Sequence, residues 1–213
     1  MEQLRENIAG AYGHIEALDE QIGRILSRLR ETGRLDDTSV VYTSDHGDLL
    51  GSHGMCDKQT FYEESAHIPF LARWPGRIPA GTRDQLLGIV DMAPTILGLV
   101  GLALPGEIDG RDLSACLENP AAPGPESLYF YNLVPAHNAW LRRHSVWRAV
   151  TDGRYVYAAE EDGAPIALYD LANDPLQQAN LVEALSEEQA RFSAALAQEA
   201  AKHDGLLPWQ TLL

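Results

Sequence analysis

The chain has 213 residues, 45% hydrophobic and 22% charged, enough apolar material for a packed core, which excludes the disordered and fibrous classes. Its 16 basic and 31 acidic residues leave a formal charge of -15, a field that repels phosphate backbones and excludes nucleic acid as a partner. The two cysteines, Cys56 and Cys116, are too few for a disulfide framework or a structural zinc site and read as free thiols.

In chain order, Leu4, Ile8, Tyr12, Ile15, Leu18, Ile22, Ile25 and Leu29 recur at steps of three and four, the apolar stripe of one long amphipathic helix. Gly33 is its expected C-cap. The β-branched and aromatic run at 38–43 follows and predicts a buried strand, with the helix stripe packed on one face of its sheet. The stretch 47–64 has no apolar period and is too elaborate for a plain connector, so it reads as a functional loop. Residues 68–74 form a second strand candidate, ended by Pro75 and Gly76. Ile89 and Val90 suggest another short strand, after which Asp91 is the expected N-cap of a helix to about Val100, with Gly101 as its stop.

From 105 to 125 the composition shifts to Pro, Gly and Ala, which marks a subdomain boundary. Beyond it the pattern is antiparallel. Strands at 146–151 and 154–158 flank the Asp152-Gly153 hairpin signal, and 166–169 is a third strand. A capping box at Ser186 and Gln189 opens an alanine-rich helix to about His203, whose Phe192 and Leu196 are expected to face the sheet. No apolar stretch approaches the roughly 20 residues of a membrane span. Residues 1–19 are charged and lack an apolar h-region, so the sequence predicts no membrane association, no signal peptide and a cytoplasmic chain.

Asp45 and His46 stand just past the carboxyl end of the first predicted strand, where ligands of open α/β sheets sit, and a carboxylate beside an imidazole there suggests a divalent metal. Gly47, Gly51 and Gly54 permit tight turns and close backbone approach. Lys58 follows twelve residues after His46 and can hold an oxyanion beside such a metal.

Asp45-His46-Gly47-Asp48, Gly51, His53-Gly54, Lys58, Tyr62-Glu63-Glu64 and Arg73-Trp74-Pro75-Gly76 together resemble the sulfatase family of the alkaline phosphatase superfamily. The likeness continues through Val90-Asp91-Met92-Ala93-Pro94-Thr95, Asp109-Gly110-Arg111-Asp112-Leu113, Leu168-Tyr169-Asp170-Leu171 and Asn180-Leu181, in order over nearly the whole chain. It implies an α/β fold: the C-terminal part of an alkaline-phosphatase-like sandwich over 1–115, then a small antiparallel sheet with a terminal helix over 125–213. It also implies metal ligation by Asp45 and His46, with Ca2+ the expected ion and Mn2+ the alternative, and oxygen contacts from Lys58. Lys58 and His53 are the candidate catalytic residues. The Asp-His pair is typical of the branch with phosphonate monoester hydrolases, phosphodiester hydrolases and choline sulfatases.

Sulfatases carry a formylglycine made within a Cys/Ser-x-Pro-x-Arg motif, and neither Cys56 nor Cys116 lies in one. The resemblance is therefore to the C-terminal half of the family, with the nucleophile and the early Asp ligands expected in an N-terminal half. The expectation is a metal-dependent hydrolase of sulfuric esters whose 213 residues are inactive alone and self-associate or pair with that half. The alternatives are a phosphonate monoester or phosphodiester hydrolase acting on phosphate esters, or a non-catalytic truncated module.

Overall fold

The structure, a computed structural model, describes residues 2–104, 106–132 and 146–203; Pro105, the first residue of the expected boundary, lies outside them. Helix α1 spans Glu2–Glu31. It ends through Gly33 at φ 66°, which lets the Arg34 N–H turn back to the Leu29 carbonyl at 2.8 Å. Strand β1 (Val40–Thr43) pairs antiparallel with β2 (Phe70–Arg73), Val40 opposite Arg73 and Thr43 opposite Phe70.

Here the structure departs from the sequence expectation. β1 is half-buried at its start and exposed at its end, and α1 contributes no buried residue, with Tyr12 68% and Ile15 58% exposed. The sheet has two strands, so each keeps a free edge, and among the described residues no helix makes extensive contact with it. An apolar stripe defines which face of a helix wants cover; it does not supply the cover.

Two short elements follow: α2 (Glu63–Ala66) before β2, then α3 (Ile89–Leu99) after it. The expected strand at Ile89 and Val90 is the first turn of α3. Gly88, not Asp91, is the N-cap: fully buried Asp91 sits three residues in and accepts the Gly88 N–H at 3.0 Å. Its other oxygen accepts the Arg111 N–H at 2.7 Å, tying α3 to the segment before α4 (Ser114–Glu118).

A four-stranded antiparallel sheet then runs in the order β3-β4-β5-β6: β3 is Leu128–Asn132, β4 Trp147–Thr151, β5 Tyr155–Glu160 and β6 Pro165–Asp170. β3 was not anticipated, while the hairpin around Asp152-Gly153 was. Period-2 alternation buries both faces. Val150, Tyr157, Ala159 and Leu168 pack under α5 (Ser186–His203) with Phe192 and Leu196, which are 3% and 6% exposed as the i,i+4 spacing predicted. Trp147, Ala149, Ala158, Ala167 and Tyr169 face the other way, against Phe61, with Tyr62 packed beside it. The well-formed core is thus the C-terminal sheet, and its second face is closed by the tail of the loop from the first strand pair. No helix among the described residues is long and apolar enough to cross a membrane.

Candidate active site

The carboxyl end of β1 delivers Ser44, Asp45 and His46 into a turn stabilised by its own polar groups. The Ser44 hydroxyl donates to the His46 carbonyl at 2.8 Å, and the His46 N–H donates to Asp45 Oδ1 at 3.1 Å. The His46 ring lies with Nδ1 2.8 Å from the Gly47 carbonyl oxygen. A carbonyl can only accept, so Nδ1 donates to it, which in the neutral ring leaves the Nε2 lone pair as the acceptor. Lys58 Nζ donates to that lone pair at 2.6 Å. Asp45 Oδ2 lies 3.5 Å from the same nitrogen.

The Asp45 carboxylate is 81% exposed. Its pKa is held below the ordinary carboxylate range, first by its own backbone N–H, with further help from the His46 backbone N–H and the Lys58 ammonium, against a partial desolvation cost. Ionised, it can ligate a cation. Two donors each about 2.1 Å from one ion lie at most about 4.2 Å apart, so the spacing of Asp45 Oδ2 and His46 Nε2 suits two positions on one shell. Among the described residues no group of three or more His, Cys, Asp or Glu converges on a metal position. The pair therefore fits a divalent cation as part of a shell, since hard cations take six to eight ligands.

The loop that returns Lys58 to His46 is ordered by backbone. Leu49 N–H bonds the Asp57 carbonyl at 2.8 Å and Gly51 N–H the Met55 carbonyl at 2.8 Å, with a 3-10 turn over Ser52–Gly54 between them. Leu49, 1% exposed, anchors it. Gly47 is required where it stands, because a Cβ there would lie 2.0 Å from the Glu64 carbonyl oxygen. Its N–H donates to the Ser65 carbonyl at 2.9 Å, and the Ser65 hydroxyl accepts the Thr60 N–H at 3.3 Å, so one residue ties both ends of the loop.

Asp45, His46 and Lys58 thus come together and line one open cleft. His53 does not join them. Its ring stacks on Tyr62 at 3.7 Å between centroids, its Nε2 lies 3.8 Å from Glu64 Oε2, and it is absent from the cleft lining. With φ at 56° it holds the loop's tight turn. Cys56 is an exposed free thiol and Cys116 a buried one. Sequence reasoning missed Ser65, and also Trp147 and Gln177, which reach the same segment from the C-terminal sheet and the turn after it; no periodicity or motif spacing signals such contacts.

The family model for Sulfatase matches residues 2–102. That stretch contains β1, the Asp45-His46 turn, Lys58 and β2. Residues 2–102 belong to the sulfatase family. The chain is 36% identical over 170 residues to the N-acetylglucosamine-6-O-sulfatase of Bacteroides thetaiotaomicron, covering 78% of itself and 30% of that protein. A solved structure of a protein in complex with its substrate D-glucosamine-2-N,6-O-disulfate superposes with a TM-score of 0.75 at 27% identity, covering 92% of this chain and 41% of that one. The phosphonate monoester hydrolase of Silicibacter pomeroyi superposes with a TM-score of 0.72 at 27% identity, covering 86% and 38%. The chain spans about a third of the length of the curated relatives it matches. The small antiparallel sheet and the terminal helix are both present, as the resemblance implied.

Proposed function

We propose that these residues carry the metal-facing and anion-facing part of a sulfatase active site that hydrolyses sulfuric esters. The observation that carries the reading is the meeting of Lys58 Nζ with His46 Nε2 at 2.6 Å, beside Asp45 Oδ2. In this reading Asp45 and His46 are metal ligands, Lys58 is the catalytic residue, and His53 keeps the loop in shape. Residues 1–115 form the catalytic α/β portion and 125–213 the small C-terminal subdomain. Ca2+ or Mn2+ is the ion, a formylglycine the nucleophile, and a sulfate ester the substrate.

A divalent cation bound here supplies charge that polarises the ester oxygens. The chain's own groups do the rest of what can be derived. The Nε2 lone pair serves one partner at a time, so a cation held by His46 would displace Lys58 from it. Its ammonium would then be free to hold a non-bridging oxygen of the transferring group as charge develops there. The chain's -15 formal charge opposes an anionic substrate, which makes such local positive charge necessary. The 213 residues contain no Cys-x-Pro-x-Arg or Ser-x-Pro-x-Arg sequence, so the nucleophile is assigned to no residue here.

The Asp-His pair and the likeness to a phosphonate monoester hydrolase support a second reading, hydrolysis of phosphonate or phosphate esters at the same site. The test is a chimera in which this chain replaces the matching 30% of the N-acetylglucosamine-6-O-sulfatase. It is expected to hydrolyse an aryl sulfate, to lose metal and turnover together in Asp45→Ala, and to lose about 100- to 1,000-fold in kcat with metal retained in Lys58→Ala. Faster cleavage of an aryl phosphodiester would select the second reading. The isolated chain should show no steady turnover; turnover that Asp45→Ala abolishes would refute the assignment of the nucleophile elsewhere.

A further inference from the structure

We propose that Trp147 and Gln177 are positioning residues for Lys58, so that the C-terminal sheet and the turn after it set the geometry of the site. The proposal rests on the assignment of Asp45, His46 and Lys58 above. Lys58 is flanked by Asp57 at φ 70° and Gln59 at φ 72°, both left-handed and neither a glycine. Among the described residues five non-glycine positions have positive φ: Leu50, His53, Asp57 and Gln59 lie in the site loop, and Gln177 is the fifth. A side chain with a Cβ disfavours this conformation, which persists only where its surroundings over-determine it.

The surroundings that hold Gln59 come from 88 residues further along the chain. The Trp147 indole N–H donates to the Gln59 carbonyl oxygen at 3.1 Å. Trp147 is 4% exposed and cannot rotate away, because Phe61 and Phe130 pack edge-on against it at 5.5 and 5.8 Å. Its buried N–H needs a partner, and the Gln59 carbonyl provides it. Four residues on, Gln177 Oε1 accepts the Glu63 N–H at 2.6 Å, and Gln177 is 1% exposed. The strap 59–63 is therefore pinned at both ends by the C-terminal half. Lys58 hangs from its first residue, and Ser65 links it back to Gly47 beside His46. If the Trp147 tie is cut, Gln59 can relax to negative φ, which swings Lys58 off His46.

The experiment is 15N NMR of the His46 imidazole in the 213-residue chain, with EDTA present and at a pH above the ordinary imidazole range. Lys58→Met first marks where the Nε2 signal falls once the ammonium contact is gone. Trp147→Phe keeps an aromatic ring in the cluster and removes the N–H; it is expected to move the signal to the Lys58→Met position. Adding Gln59→Gly to Trp147→Phe is expected to return it, because glycine adopts positive φ without strain. A merely structural tryptophan would not be rescued this way. A Trp147→Phe signal at the wild-type position, or a double variant that fails to restore it, overturns the proposal. Should Trp147→Phe not fold, Gln177→Met removes the other tie without touching the aromatic cluster: the same movement supports the proposal and an unchanged signal overturns it. The readout needs no turnover, so its failure leaves the sulfatase reading standing, whereas a His46 signal indifferent to Lys58→Met would count against the site itself.

Discussion

Gly47 shows how much of the site depends on one missing methyl group. Gly47→Ala would place a Cβ 2.0 Å from the Glu64 carbonyl oxygen, backbone against backbone, with no flexible side chain to yield. It is expected to destabilise the fold by about 1–3 kcal/mol, the usual range for overpacking, read as a lower thermal midpoint by circular dichroism. Asp170 is a second residue whose environment is legible in a measurement. The Arg154 guanidinium grips its carboxylate at 3.2 and 2.9 Å, and with the Asn173 amide and the Ala172 N–H it holds the Asp170 pKa far below the usual range. A depressed carboxyl contributes stability that is present above its unfolded pKa of about 3.9 and is lost as pH falls through the folded value. Thermal melts should therefore show the wild type losing stability below about pH 4, and Asp170→Asn starting lower at neutral pH with a flatter decline in acid.

Among the elements, α1 and α5 are both amphipathic by sequence, yet they differ in what they bury. Phe192 and Leu196 of α5 enter the core over β4 and β5, so Phe192→Ala is expected to cost about 3–5 kcal/mol and Leu196→Ala about 2–5 kcal/mol. Ile15 of α1 is 58% exposed, and Ile15→Ala should stay within about 0.5 kcal/mol. Urea denaturation of the three variants decides this, and a large loss from Ile15→Ala would mean that α1 is covered in solution. α3 makes a related point: Asp91 behaves as the sequence requires of a helix-start carboxylate, but from inside the first turn, reaching back to Gly88.

At the scale of the whole molecule, cohesion is uneven. Both buried clusters sit on the four-stranded sheet, whereas α1, β1 and β2 within the family-matched stretch hold few buried side chains. Local opening free energy follows buried contact. Hydrogen exchange should therefore protect the amides of β4, β5 and β6 most, with α1, β1 and β2 exchanging well before them and the strap 59–63 following the sheet to which Trp147 and Gln177 tie it. Exchange of the strap with β1 instead would contradict the coupling.

Read alone, the sequence specified much of what depends on neighbours a few residues apart, though not the start of α3 or strand β3. The steps of three and four built α1 and α5, Asp152-Gly153 turned the hairpin, and Asp45, His46 and Lys58 announced themselves by type, spacing and family likeness. Local chemistry also set the orientation of the His46 ring, since the Gly47 carbonyl that its Nδ1 faces belongs to the next residue. What the tertiary structure decided were contacts between distant positions: the Trp147 N–H on Gln59, Gln177 on Glu63, Phe61 sealing the second face of the sheet, and the withdrawal of His53 from the cleft onto Tyr62. It also decided which apolar stripes are covered. Periodicity records the direction a side chain points, and burial depends on what stands opposite, which no window of the sequence contains.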